Sequence, residues 1–260
     1  MRRAAAAGLD AIALTDHDTV AGIAEAAQAL PKGLTLVPGM ELSCRRDGHS
    51  VHMLAYLFDP GHEELARQLE AIRRSRVSRA REMVDKLSAL GVDVTWEQVE
   101  QIAGGGVVGR PHIARAMVAA GAIESPGDAF TEDWIGTGGR AHVRRYALDP
   151  VEAIRLVGSA GGVCVLAHPM VEARGWLVPE DLIVELAAAG LAGLEVAHPS
   201  HELPERTALA DLATRLNLVA SGGSDDHGEL TGDRIGVESV DAEAFGRLLG
   251  AATGASVIRT

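Results

Sequence analysis

Short apolar runs and helical periodicities alternate along most of this chain, and the runs end abruptly in polar residues. Residues 2–7 read as a helix with Gly8 at the place of a C-terminal cap, and residues 9–14 follow as a strand. That strand stops at Thr15-Asp16-His17-Asp18-Thr19. Residues 20–30 then carry a helical pattern closed by the turn Pro31-Lys32-Gly33. A second apolar run, 34–37, closes at Pro38-Gly39-Met40-Glu41. Residues 51–57, which hold His52, are a further strand or a continuation of the one before. Strands and helices in alternation predict βα units.

The rhythm breaks between residues 62 and 145. Residues 63–90 are long, charged and helical, with apolar positions at Leu65, Leu69, Ile72, Val77, Met83, Val84 and Leu87. Residues 96–103 and 111–120 predict two more helices, the second with Pro111 at its first position. Alternation resumes with helix 150–160, strand 163–167, helix 179–189, strand 191–197, helix 204–216, strand 218–221 and helix 242–251. No fixed-period repeat or low-complexity tract interrupts it. The organisation predicted is an α/β barrel formed by residues 1–61 and 146–260, carrying residues 62–145 as a helical insertion that acts as a lid.

Histidines and carboxylates gather where the apolar runs end. His17 follows the first strand and Glu41 the second, His168 follows 163–167, Glu195 and His198 close 191–197, and Asp225, Asp226 and His227 follow 218–221. An Asp and a Thr at a helix start are ordinary caps, and loop openings account for acids and serines. They do not account for a histidine at nearly every strand exit. A buried parallel strand ending in polar groups is how an α/β barrel presents chemistry at its C-terminal face. Imidazole mixed with carboxylate suits Zn²⁺, Mn²⁺ or Fe²⁺ better than Ca²⁺. The pattern therefore predicts a multinuclear metal site.

Composition removes several rivals. The 260 residues are 47% hydrophobic, ample for a sizeable core. A net charge of −12 and only 3% aromatics disfavour a broad nucleic-acid face, stable duplex binding and a base-stacking platform. A small or short anionic substrate stays compatible, because bound cations reverse the sign locally. Neither a membrane-crossing window nor a leader segment is present, and the two cysteines, Cys44 and Cys164, fit no metal or redox spacing, so the expected compartment is the cytoplasm. Lys32 and Lys86 are the only lysines and neither sits at a strand exit, which disfavours Schiff-base chemistry. Gly104, Gly106 and Gly109 match a dinucleotide fingerprint formally, but a helix precedes them where that motif needs a strand. No G-x-S-x-G elbow occurs.

Five motifs, in order over residues 9 to about 236, resemble the PHP (polymerase and histidinol phosphatase) family. They are Leu14-Thr15-Asp16-His17-Asp18, Pro38-Gly39-Met40-Glu41, His52-Met53-Leu54-Ala55-Tyr56, Ala167-His168-Pro169 and Gly223-Ser224-Asp225-Asp226-His227. Gly109-Arg110-Pro111-His112-Ile113-Ala114 and Glu195-Val196-Ala197-His198-Pro199-Ser200-His201 resemble the subgroup of nucleoside 3′,5′-bisphosphate phosphatases that includes the 5′→3′ exoribonuclease RNase AM.

The resemblance implies a distorted, TIM-like seven-stranded β/α barrel and two to three divalent metal ions, Mn, Zn or Fe. It implies that Glu41 bridges two ions, one completed by His52 and His168, that His17 and His227 hold a third, and that Asp225 holds the remaining one. Glu41, His17, Asp225 and His227 are thereby the catalytic candidates. Arg110, His112, His198 and His201 are the substrate-binding candidates; His112 reads equally as a solvated helix residue, and one of His198 and His201 as a cap on the next helix. Family members open with a strand carrying His-x-His, which this sequence lacks. The barrel is accordingly expected to miss its first strand, with the true start upstream of Met1; the in-frame genomic sequence before Met1 tests this.

The activity implied is metal-dependent hydrolysis of a phosphomonoester of a small nucleotide, as in a 3′,5′-nucleoside bisphosphate 3′-phosphatase. Two alternatives stay open: 5′→3′ exonuclease action on short 5′-phosphorylated RNA, and a truncated, catalytically impaired metal-binding or docking module.

Overall fold

Among the described residues the apolar runs become six strands: β1 (Ala11–Leu14), β2 (Thr35–Arg46), β3 (His49–Tyr56), β4 (Val163–Leu166), β5 (Gly193–Ala197) and β6 (Val219–Gly222). They hydrogen-bond in chain order into one curled sheet, a half-barrel within a mixed α/β fold. The computed structural model describes residues 1–105, 108–144, 146–172, 175–228 and 231–260. These group into two units, Met1–Ala66 with Ala147–Thr260, and Arg67–Tyr146.

The sheet departs from uniform βα alternation in its middle. β1 runs parallel to β2, and β4, β5 and β6 run parallel to one another, but β3 is antiparallel to both β2 and β4. A hairpin causes this. Asp47 and Gly48 both have positive φ (51° and 87°), the backbone of a type I′ turn whose twist matches that of the flanking strands. β2 also does not end at Pro38-Gly39 but runs through them for twelve residues. Parallel pairing with β1 ends at Leu14 and Pro38, and antiparallel pairing with β3 starts at Gly39 and Tyr56. Proline falls where the strand changes partner and its missing N–H breaks no ladder. Gly39 is needed next to it, since a Cβ there would stand 2.9 Å from the Ala55 carbonyl oxygen.

The first unit packs helices α1 (Arg2–Ala6), α2 (Ile23–Gln28), α6 (Pro150–Ser159), α7 (Glu180–Ala188), α8 (Leu203–Arg215) and α9 (Ala242–Ala251) with the sheet. Leu36, Met40, Leu42, Met53, Val165, Leu166 and Leu194 are among its fully buried residues on the strands. α2 is shorter than the pattern over 20–30 predicts. Residues 18–22 wrap the chain back toward β2, with Thr19 Oγ1 accepting from Ala21 N–H at 3.2 Å. Among the described residues no helix is long and apolar enough to cross a membrane.

The second unit is helical. α3 (Glu63–Ala89) leads into it, followed by α4 (Trp96–Ala103) and α5 (Arg110–Ala119). Met83, Leu87, Val99, Ile113, Met117 and Ile135 form its core. α4 has a full capping box between Thr95 and Gln98 and ends on Gly104 at φ 58°. Arg110, not Pro111, is the first residue of α5, and a 3₁₀ turn at Pro126–Phe130 adds an element the periodicity does not show. Gly106 of the formal glycine motif lies outside the described residues.

At the outer end of the hairpin, Arg46 grips two carboxylates, Asp149 (Nε–Oδ2 2.7 Å) and Glu185 (Nη1–Oε2 2.8 Å). Asp149 also caps α6 by accepting from Val151 N–H at 2.9 Å. Burial opposes its charge, but Arg46 and the α6 backbone outweigh burial and hold its carboxyl below the ordinary range. A depressed carboxylate stabilises the fold above its unfolded value of about 3.9, and that contribution fades as pH falls through the folded value. Asp149→Asn is therefore expected to be less stable at neutral pH and to lose less stability than wild type on acidification. Urea melts at about pH 7 and pH 3 check this; parallel losses in the two proteins would contradict it.

Candidate metal centre

The loop after β1 extends the β1–β2 ladder past its last strand pair. Asp18 N–H donates to the Glu41 carbonyl at 3.0 Å, and Glu41 N–H donates to the Asp16 carbonyl at 3.2 Å, which lays His17 beside Glu41. Asp18 is buried at φ 54° and its Oδ1 accepts from Ser43 N–H at 2.7 Å. Of six non-glycine residues with positive φ among the described residues, three stand at strand exits here: Asp18, His168 (29°) and Asp225 (45°). Backbone in that region concentrates where a site over-determines it. Asp18→Ala would leave the Ser43 N–H without its carboxylate and place alanine at positive φ. A loss of ~1–3 kcal/mol in a denaturant melt is expected, and a smaller one for Asp18→Asn, which keeps an acceptor oxygen and tolerates positive φ.

Glu41, 5% exposed, is the centre of the cluster. Its Oε1 lies 2.6 Å from His52 Nδ1 and 3.4 Å from His168 Nε2, and its Oε2 lies 3.7 Å from His17 Nδ1. Glu41, His52 and His168 form one group whose donor atoms all lie within 4.8 Å, and His17, Glu41 and His227 form a second. His227 Nδ1 is 3.4 Å from Asp225 Oδ1, and His198 Nε2 is 3.5 Å from Asp225 Oδ2. Asp225 thus joins the cluster through histidines and belongs to neither group of three. Successive ring centroids run His227, His17, His52, His168, His198, His201 at 5.7, 5.1, 5.2, 5.5 and 5.1 Å. Six of the ten histidines form one continuous belt.

The electrostatics favour charge on Glu41. Burial opposes it, but His168 and His52, with His17 nearby, outweigh burial and hold the carboxyl well below its usual range. Burial likewise opposes protonation of His168, and Glu41 outweighs it, raising the imidazole above its ordinary value. Burial also works against Asp225's charge, but the neighbouring His198 and His227 outweigh it and bring its carboxyl down. Two imidazoles on one oxygen of an ionised carboxylate and a third by the other make a mixed N/O donor set suited to a divalent transition metal. The ring geometry fits as well. His52 Nε2 is turned to Ser50 Oγ at 3.3 Å, so Nδ1 faces Glu41, the outer-shell arrangement that orients ligand histidines.

The other expected residues divide. His198 is 2% exposed; its Nδ1 accepts from Ser200 N–H at 3.1 Å, and its buried Nε2 lies 3.5 Å from Asp225 Oδ2 with no hydrogen-bond partner among the described residues. His201 faces backbone with both nitrogens, Nδ1 toward the Val196 carbonyl at 3.0 Å and Nε2 toward Met170 N–H at 3.3 Å. Neither histidine caps α8: that position is Glu202, boxed with Glu205. Arg110 and His112 belong to the second unit, where Arg110 lies 5.4 Å over the Phe130 ring and His112 Nδ1 accepts from Gly109 N–H at 3.0 Å. Sequence reasoning passed over Ser50, and it placed Glu195 at a strand end without giving it a role in the site. Glu195 is buried inside an apolar strand, and its Oε2 accepts from His168 N–H at 2.7 Å. Burial raises its carboxyl to about 7 despite that bond. A lone acid within Leu191–Ala197 was the available signal.

Such a site, at the open ends of a half-barrel, has the chemistry of a metal-dependent hydrolase. No family model matches the chain. It is 34% identical over 228 residues to a 5′-3′ exoribonuclease of Haemophilus influenzae, covering 87% of this chain and 82% of that protein. It is 35% identical to a 3′,5′-nucleoside bisphosphate phosphatase of Chromobacterium violaceum, covering 89% and 82%. In fold it matches a structure from Bifidobacterium adolescentis described as a metal-dependent phosphoesterase, with a TM-score of 0.85, 33% identity and coverage of 97% and 89%. Fold, site and relatives define a hydrolase of phosphate esters. The chain belongs to the PHP-like family of metal-dependent phosphoesterases.

Proposed function

We propose that this phosphoesterase acts on a small phosphorylated nucleotide, as a 3′-phosphatase of nucleoside 3′,5′-bisphosphates. The observation that carries the reading is one buried carboxylate, Glu41, shared by two groups of donor atoms. The identity with the Chromobacterium violaceum bisphosphate phosphatase supports the substrate.

Two to three divalent cations, manganese, zinc or iron, are assigned to it. Glu41 would stand between two of them, with His52 and His168 on one, His17 and His227 on another, and Asp225 on the remaining one. Bound there, such ions acidify a water and neutralise phosphoryl oxygens. The protein's own part is to hold that arrangement. Ser50 fixes the ring of His52, Glu195 fixes the backbone of His168, and His198 stands beside Asp225. Asp226 ties down the following loop by accepting from Gly228 N–H at 3.0 Å and Arg234 N–H at 2.8 Å. Arg110 and His112 are assigned to the substrate phosphate. Residues 62–145 are assigned the role of a lid that selects what enters.

A second reading, 5′→3′ release of nucleotides from short 5′-phosphorylated RNA, is favoured by the Haemophilus influenzae relative. Manganese-loaded protein is to be offered adenosine 3′,5′-bisphosphate and a 5′-phosphorylated oligoribonucleotide in parallel. Faster inorganic phosphate release from the bisphosphate is expected. Mononucleotide release from the RNA with no turnover of the bisphosphate would replace the first reading by the second. Purified chain that takes up no metal would support the impaired-module alternative against both.

A further inference from the structure

The β2–β3 hairpin carries two adjacent arginines on opposite faces of the sheet, and they are treated very differently. Arg46 points outward and is locked by Asp149 and Glu185. Arg45 has the other face. In an antiparallel ladder, directly opposed residues share a face, and every second residue along a strand returns to it. The register opposes Glu41 to Leu54, Ser43 to His52 and Arg45 to Ser50, with no shift between them. Arg45 therefore lies on the Glu41 and His52 face, directly across from the serine that orients His52. It is half-buried, and its backbone is pinned by its N–H to the Leu148 carbonyl at 2.9 Å. Among the described residues its guanidinium makes no ion pair and no side-chain hydrogen bond, although the chain holds 36 acidic residues against 24 basic ones.

We propose that Arg45 forms a subsite for a second anionic group of the substrate, a phosphate next to the one being hydrolysed. The position suits that group and not the scissile one. Arg45 is four residues beyond Glu41 along the strand, about 13 Å at strand rise, which is more than an arginine side chain spans. The guanidinium fork matches a phosphate with two parallel N–H···O bonds. This inference rests on the proposed nucleotide substrate and adds the residue that distinguishes a bisphosphate from a monophosphate.

The test compares adenosine 3′,5′-bisphosphate with adenosine 3′-monophosphate on manganese-loaded wild type, Arg45→Met and Arg45→Lys. Dissociation constants come from calorimetric titration and kcat/KM from phosphate release. Wild type is expected to bind the bisphosphate more tightly than the monophosphate. That preference should shrink ~10–100-fold in Arg45→Met, with partial recovery in Arg45→Lys. A loss falling equally on both nucleotides, or an unchanged preference, overturns the subsite while leaving the proposed activity standing. Wild type that neither binds nor hydrolyses the bisphosphate overturns both.

Discussion

Glu41→Gln is expected to lower phosphate release by ~10³-fold or more, the scale on which removing a central charge-stabilising group acts in a water-poor site. The substitution keeps shape and volume, so its effect reports on charge and donor atoms. Both Glu41 oxygens are in use, Oε1 toward His52 and His168 and Oε2 toward His17. An amide replaces one of those acceptors by an N–H₂ and removes the negative charge both groups share. His227→Ala, which strips one member from one group, is expected to lose less. Steady-state phosphate release for the two variants, with circular dichroism to establish folding, measures the difference. If Glu41→Gln kept activity within tenfold of wild type, a shared carboxylate at the heart of the site would be ruled out.

Withdrawing divalent cations with a chelator is expected to abolish turnover and lower the melting midpoint together, and Mn²⁺ should return both. A ligand that binds only the folded chain stabilises it by about 2.7 kcal/mol at one hundred times its dissociation constant. In a protein of this size that is a shift of roughly 5–10 °C. The cluster explains the coupling: its residues come from the exits of β1, β4 and β6 and from β2 and β3, so cations held there staple five strands at once. Differential scanning calorimetry before chelation, after it and after refilling reads the shift. An unchanged midpoint with full activity in the chelated protein would show that neither fold nor chemistry depends on the ions.

The strands β1, β4, β5 and β6 could be read from the sequence because each is a short apolar run bounded by turn residues, although only β4 is buried along its whole length. The long β2 could not. Pro38-Gly39 resembles a terminator, and only partner exchange between β1 and β3 lets the strand pass through it. The hairpin was signalled by Asp47-Gly48, but its flanking residues Arg45, Arg46, His49 and Ser50 are polar, so no alternation framed the turn. The histidines of the site were visible because imidazoles at strand exits are hard to explain as loop polarity. Glu195 was visible as a strand-end acid but its role was not, since that role is a hydrogen bond from the backbone of a residue 27 positions away. His201 shows the converse: its place in the histidine belt does not reveal that backbone occupies both ring nitrogens.

The central claim is that His17, Glu41, His52, His168 and His227 hold cations around one carboxylate. Anomalous diffraction at the manganese edge, from crystals soaked in Mn²⁺, addresses it directly. The account predicts one peak between Glu41, His52 and His168 and another between Glu41, His17 and His227. A map with no peak there, or with manganese only elsewhere on the molecule, would contradict it.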